Sequence, residues 1–135
     1  MAGERDLDLL LRDMKPEIQP GVFVFCTIAA SDRIPATLNP RMTFREQEGT
    51  TLVILLEEAE AAGLQYAFPS RLISLTVHSA LDAVGFLAAI TTHLADCGIS
   101  VNAVSAFHHD HLFVPSDMIE DAMAALRDVS EASRD

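Results

Sequence analysis

From Arg71 to Leu126 the chain runs through strands and helices in an order that few folds accept. "RLISLTVH", Arg71 to His78, is rich in β-branched and apolar residues and reads as a strand. "SALDAVGFLAAITTHLADCG" carries Val84, Leu87, Ala88, Thr91 and Leu94 at helical spacing. This predicts a helix from about Leu81 to Cys97, stopped at Gly98. "ISVNAVSAF", Ile99 to Phe107, is a strand, and "HLFVP" is another. A last helix follows, with Ser116 as cap and Ile119, Met123 and Leu126 turned inward; the polar tail "SEASRD" is expected to be disordered.

The order β-α-β-β-α lacks one strand of a ferredoxin-like β-α-β-β-α-β unit. The first half holds strands to spare. A short amphipathic helix opens it, with Leu7, Leu10, Leu11 and Met14 on one stripe, Asp6 as cap and Pro16 as stop. Strands are expected at Val22–Ala29, at "MTFRE", at Thr51–Leu56 and at Gln65–Phe68, where Pro69 ends the run. A loop spans Ser31 to Pro40, and the short helix "EEAEAAGL" stops at Gly63. The expectation is an α+β protein of two interlocked ferredoxin-like units with antiparallel sheets and helices on one face. The first unit is expected over residues 1–69 with its leading helix, the second over 70–135.

Half of the 135 residues are apolar, enough for a core without staples. Twenty acids against nine bases give a net charge of −11. Such a chain has no basic stripe to neutralise phosphates, so no nucleic-acid and no membrane partner is expected. Cys26 and Cys97 stand apart, outside any Cys-x-x-Cys spacing, and read as small buried hydrophobes of a reducing compartment. The N-terminus does not read as a signal peptide and no apolar run is long enough to span a bilayer, so a cytoplasmic location is expected. Val104, Ala106 and Phe113 read as an apolar face that favours a homodimer or higher homo-oligomer.

"SAFHHDHLFVP" concentrates the chemistry. In ferredoxin-like geometry the first strand ends at His78, at the same end of the sheet as this hairpin. His78 and His111 then become neighbours, and a two-residue turn at His109 and Asp110 sets His108 opposite His111. The corner admits three readings. His78, His108 and His111 can be metal ligands, although no His-Glu-x-x-His-like spacing supports them. The same residues with Asp110 can be an acid–base cluster; Ser79 is adjacent but unmarked as a nucleophile. A polar recognition pocket for a small ligand is the more economical reading, with turn and surface chemistry as its plain rival. No catalytic residue is assigned and no cofactor is expected.

"LTVHSALDAVGFLAAITTHLADCGISVNAVSAFHHDHLFVP" resembles an ACT domain, a small regulatory module that binds amino acids. The likeness lies in the strand, the loop, Gly85 at the helix start, the helix stop at Gly98 and the "GISVN" strand start. The Asp-x-Pro-Gly usual in the first loop is replaced by Leu81, Asp82, Ala83, Val84 and Gly85. With "VFCT", "FREQEGTTLV", "TVHSALDAVG" and "HDHLFVP", the chain as a whole is similar to a bacterial family of tandem ACT-like proteins. The resemblance implies a non-enzymatic regulatory protein whose partner is a small molecule, expected to be an amino acid. It implies a ligand site at the first strand–helix loop, with His78, Ser79, Ala80, Leu81, Val84 and Gly85, beside Asp110 and His111. Backbone N–H groups at the helix start can hold a carboxylate there, and Asp110 can accept from an ammonium. In the other half, Arg45 of "FREQEG" is a fork-shaped carboxylate binder, while Glu46 and Glu48 read as a solvated hairpin. A metal-dependent or acid–base enzyme and a ligand-free interaction module are the alternatives.

Overall fold

The computed structural model describes residues 3–134. In chain order the elements are α1 (Leu7–Arg12), β1 (Pro16–Ile18), β2 (Phe23–Ile28), β3 (Met42–Arg45), β4 (Thr50–Leu55), α2 (Leu56–Ala61), β5 (Ala67–Leu75), α3 (Phe86–Asp96), β6 (Asn102–Ser105), β7 (Asp110–Pro115) and α4 (Ile119–Ala132). A 3₁₀ turn, Ser116–Met118, leads into α4 in place of a side-chain cap by Ser116. The architecture is α+β: two ferredoxin-like units with antiparallel sheets.

One compact unit is the continuous stretch Gly21–Ser70. Its strands lie in the order β3-β4-β2, followed by the first residues of β5. β2 pairs β4 from Phe23↔Leu55 to Ile28↔Thr50, and meets β5 at Phe23↔Ser70 and Phe25↔Ala67. Val24, Cys26, Leu52 and Ile54 alternate onto one face and pack under Ala59 of α2. Residues 29–41, where a ferredoxin-like unit carries its first helix, form turns instead. Burial pushes the Cys26 thiol above its ordinary pKa, as for an inert core cysteine.

The other unit combines the chain up to Pro20 with the chain from Arg71 onward. The compact units therefore differ from the expected division at residue 69 or 70 in one respect: the opening segment packs with the C-terminal half. Two physical reasons place it there. Leu10, Leu11 and Met14 share one buried cluster with Phe86, Ile90 and Leu94 of α3 and with Ala122, Ala125 and Leu126 of α4. β1 pairs antiparallel with the second part of β5, Pro16↔Leu75 to Ile18↔Ile73. That pairing supplies the strand missing from β-α-β-β-α, and the order becomes β1-β5-β7-β6. All the helices of this unit cover the face bearing Ile73, Leu75, Leu112 and Val114. No helix among the described residues is long and apolar enough to cross a membrane.

Other local expectations shift. β5 runs through Pro69, which was expected to end a strand. A register irregularity against β2 and a positive φ at Phe68 (58°) absorb the missing N–H there. α3 begins at Phe86, not Leu81, and buries Phe86, Ile90 and Leu94. Val84, expected in the stripe, is 84% exposed. The tail is helical through Ala132, and Ser130 Oγ donates to the Arg12 carbonyl at 2.7 Å. Cys97 is exposed rather than buried, with its Sγ 4.0 Å from His93 Nε2. Phe113 is 2% exposed, so it offers no free apolar face.

Candidate functional site

β5 ends at Leu75 and α3 begins at Phe86; the connection between them passes the tip of the β6–β7 hairpin. β6 and β7 pair from Asn102↔Phe113 to Ser105↔Asp110, so the hairpin turn occupies residues 106–109 and is closed by Ala106 N–H donating to the His109 carbonyl at 3.0 Å. That geometry fixes Asp110 as the first residue of β7, 5% exposed. Its Oδ2 accepts from Ser79 Oγ at 2.8 Å and its Oδ1 from Ser105 Oγ at 2.7 Å. Among the described residues no cation pairs with this buried carboxylate; the two ion pairs are Arg5–Asp82 and Arg12–Asp13. A buried carboxylate held only by neutral hydroxyls is uncommon, because burial favours charges that are paired.

The start of α3 lies beside it. Gly85 is its N-cap, with φ 92° and no side-chain hydrogen bond to the first turn. The free N–H groups of that turn carry the positive end of an eleven-residue helix. A cavity of about 200 Å³ joins the two features, lined by Ser79, Ala80, Leu81, Ala83, Gly85, Phe86, Leu87, Ala88, Ser105 and Asp110. One rim thus offers a carboxylate and a positive helix pole to the same space.

Glycine is required at residue 85 by its backbone. A Cβ there would meet Leu7 Cδ2 at 3.6 Å, ordinary contact, but φ 92° is a left-handed conformation that L side chains avoid. Gly85→Ala is expected to cost about 1–2 kcal/mol in urea unfolding, and Gly85→Asn less, because asparagine tolerates this region. Equal melting of the glycine and alanine proteins would show that the loop adjusts freely.

A strap from the N-terminus runs along the same loop. Glu4 N–H donates to the His78 carbonyl at 2.8 Å, and Ala80 N–H to the Glu4 carbonyl at 2.9 Å, a parallel bridge between Glu4 and Ser79. Gly3 is needed for the close approach, since a Cβ would lie 2.6 Å from the Ser79 carbonyl carbon. Arg5 forks onto Asp82 at 2.9 and 3.0 Å. The hydrogen bond and charge of Arg5 hold the Asp82 carboxyl below its ordinary pKa, and Asp82 raises that of Arg5. Both side chains are more than half exposed, at 57% and 69%, so solvent screens the pair. A second cavity of about 230 Å³ lies by the strap, lined by Gly3, Arg5, His78, Ser79, Ala80, Leu81, Asp82 and Phe107.

The residues singled out in the sequence are thus sorted. Ser79, Ala80, Leu81, Gly85 and Asp110 line one cavity, and His78 lines its neighbour. Val84 lines neither. His111 opposes Val104, not His108, and its Nδ1 lies 2.8 Å from Ser74 Oγ. His78 approaches His108, with ring centroids 6.0 Å apart. Among the described residues no group of three His, Cys, Asp or Glu side chains converges to hold a metal ion, so the triad His78, His108 and His111 is not assembled. Arg45 is an exposed residue of β3 within the Gly21–Ser70 unit and lines neither cavity. Ser105 was missed: its pairing with Asp110 depends on a four-residue turn, where a two-residue turn was expected.

Two family models, each of the ACT domain, match the chain, one over residues 2–71 and the other over 67–128. They overlap on β5, whose residues serve both units. No curated protein matches the chain. Among solved structures, a Vibrio cholerae protein of unknown function, described as a possible transport protein, is 43% identical with a TM-score of 0.81; the match covers 92% of this chain and 95% of that one. An Agrobacterium tumefaciens protein is 23% identical with a TM-score of 0.74, covering 85% and 87%. The ligand-free regulatory subunit of aspartate kinase from Thermus thermophilus shares the fold at 11% identity, with a TM-score of 0.64 and coverage of 84% and 95%. Tandem ACT units support a ligand-binding regulatory role. With one ACT model matching more than half its length and a second following it, the chain belongs to the ACT-domain family as a tandem pair.

Proposed function

We propose that this protein is a cytoplasmic sensor that binds a free amino acid in the cavity between the 79–85 loop and the β6–β7 hairpin. The carrying observation is the buried Asp110, held by Ser79 and Ser105 with no cation among the described residues, facing the same 200 Å³ space as the uncapped start of α3. An amino acid carries the two groups this arrangement lacks. Its ammonium supplies the counter-charge for Asp110 in a charge-assisted hydrogen bond. Its carboxylate accepts from the free N–H groups of the first turn of α3. Each Asp110 oxygen accepts one serine hydroxyl, which leaves lone pairs for the ligand.

Binding at this loop has a route to the rest of the unit. Ser79 donates to Asp110 through its side chain and bridges Glu4 through its backbone, so a ligand drawn to Asp110 also acts on the N-terminal strap. The free edge of β6 carries the uncharged sequence Asn-Ala-Val-Ser, which suits pairing with a second copy of the chain.

The test is a thermal-shift screen with the twenty amino acids. A ligand that binds only the folded state at a hundred times its Kd stabilises by about 2.7 kcal/mol, which raises the melting temperature by several degrees. At least one amino acid is expected to do so at millimolar concentration, with the shift reduced in Ser79→Ala. A flat response to all twenty at that concentration would overturn the reading.

A further inference from the structure

We infer that the free edge of β3 pairs antiparallel with β3 of a second copy, with Phe44 against the partner's Phe44 on the two-fold axis. This interface lies in the Gly21–Ser70 unit and is independent of the amino-acid reading. Among the described residues β3 pairs only with β4. Thr43, Phe44 and Arg45 are exposed. The strand contains no proline, and residues 29–41 before it form turns rather than a helix. Such an edge presents unpaired backbone groups as a template for another strand. Its charge suits a copy of the same chain. The protein carries −11, yet along this hairpin Arg41 and Arg45 balance Glu46 and Glu48. Two copies can therefore approach here without the repulsion that the rest of the chain supplies. Phe44, 65% exposed, is a large apolar side chain that the single chain leaves in water.

Backbone bonding fixes which residues can pair. Glu46 N–H donates to the Gly49 carbonyl at 3.0 Å, and Gly49 N–H to the Glu46 carbonyl at 3.3 Å. In an antiparallel ladder bonded and non-bonded pairs alternate. Glu46 and Phe44 therefore turn their backbone groups inward, to Gly49 and Thr51, while Thr43 and Arg45 turn theirs outward. A two-fold pairing must join outward residues. Thr43 opposite its own copy sets Arg41 beside the partner's Arg45, and Arg45 opposite its own copy sets two guanidiniums together; like charges disfavour both. Thr43 opposite the partner's Arg45 remains. Each such pair exchanges both backbone hydrogen bonds, and the two Phe44 rings meet as a non-bonded pair, where side chains lie closest. Side-chain charge agrees with this register. Val24, Cys26, Leu52 and Ile54 face α2, so Phe23, Thr51 and Phe44 share the opposite face. Arg41 N–H donates to the Val53 carbonyl at 2.8 Å, and its guanidinium lies 4.8 Å from the Phe23 ring centroid on that face. Glu46 points the same way, since its Oε1 accepts from Thr51 Oγ1. In the pairing Glu46 falls opposite the partner's Met42 and next to the partner's Arg41, and the two-fold axis repeats the contact.

The experiment is analytical ultracentrifugation of the full-length protein over a concentration series up to about 100 μM, which captures even a small interface. Thr43→Pro is expected to halve the mass of the assembly. Proline removes an outward N–H on which the pairing depends and leaves the β3–β4 bonds in place, as edge strands allow. A cooperative melt verifies that the variant is folded. Glu46→Arg should weaken association at least about tenfold, and adding Arg41→Glu should recover most of the loss. Register is read by cross-linking in a Cys97→Ser background, since Cys97 is exposed and Cys26 is buried. Phe44→Cys should form an inter-chain disulfide under mild oxidation, because a non-bonded pair sets its Cα atoms about 4.5 Å apart. Thr43→Cys should not, because its counterpart lies two residues further along, beyond about 7 Å. If the proline variant fails to fold, the cross-linking decides. A protein that is monomeric throughout the series, which would leave the edge to a foreign strand, overturns the pairing. So does an assembly whose mass is unchanged by Thr43→Pro, or cross-linking at residue 43 and not at residue 44.

Discussion

Asp110→Ala is expected to destabilise the protein by about 2–4 kcal/mol and to abolish every amino-acid-induced rise in melting temperature. The stability loss follows from what the carboxylate holds. Ser79 and Ser105 each donate to it across a site that is 5% exposed at its centre. Truncation leaves Ser79, itself 8% exposed, with a hydroxyl that has lost its acceptor. The 79–85 loop and the β6–β7 hairpin then lose their shared polar anchor. Asp110→Asn separates the two effects. The amide oxygen still accepts one serine, so about half of the stability is retained. The negative charge is gone, so the ligand response is expected to vanish as completely as in the alanine variant. Urea unfolding measures the first quantity and thermal shift the second. An asparagine protein that still responds fully to its ligand would remove Asp110 from the role of ammonium partner.

Much of this corner can be read from the residues alone, because sheet topology is a strong constraint. Once Arg71–His78 is a first strand and "HLFVP" a third, the end of the one must lie by the start of the other. His78 approaches His108 there, where His111 was the expected neighbour, and Ser79, not singled out as a partner, reaches Asp110. What fails is the fine register. A four-residue turn moves Asp110 into the strand, pairs it with Ser105 and sends His111 along β7 to Ser74. Turn length is set by backbone closure at Ala106 and His109, and nothing in the side chains "FHHD" announces it. The helix start fails for a related reason. Val84 continues the apolar period, but Gly85 takes a positive φ that no helix interior uses, so α3 can begin only after it. β1 is hidden because three residues with a leading proline give no alternation to detect; its strand character comes from pairing with residues far along the chain. Pro69 misleads in the opposite sense, since a register irregularity lets a strand pass through it.

A fragment beginning at Arg71 is expected not to fold, although it contains α3, α4 and three of its unit's four strands. The missing part is the segment up to Pro20, which is remote in sequence and central in packing. Leu10 and Met14 are fully buried and Leu11 is 8% exposed, all in the cluster formed with α3 and α4. Burying three such side chains is worth about 5–9 kcal/mol, comparable with the whole stability of a typical domain of about 5–15 kcal/mol. The fragment also loses β1, which leaves the Ile73–Leu75 edge of β5 without its partner. Circular dichroism and proton NMR of residues 71–135 should show a poorly packed chain with no cooperative melt. Appending residues 1–20 through a flexible linker after residue 135 should restore the melt, because Ser130 and Arg134 already reach the Arg12 carbonyl in the intact chain. Met14→Ala in the full-length protein gives the graded version, with an expected loss of about 2–5 kcal/mol. A sharp, cooperative transition in the bare 71–135 fragment would mean that the opening helix and β1 decorate this unit rather than complete it.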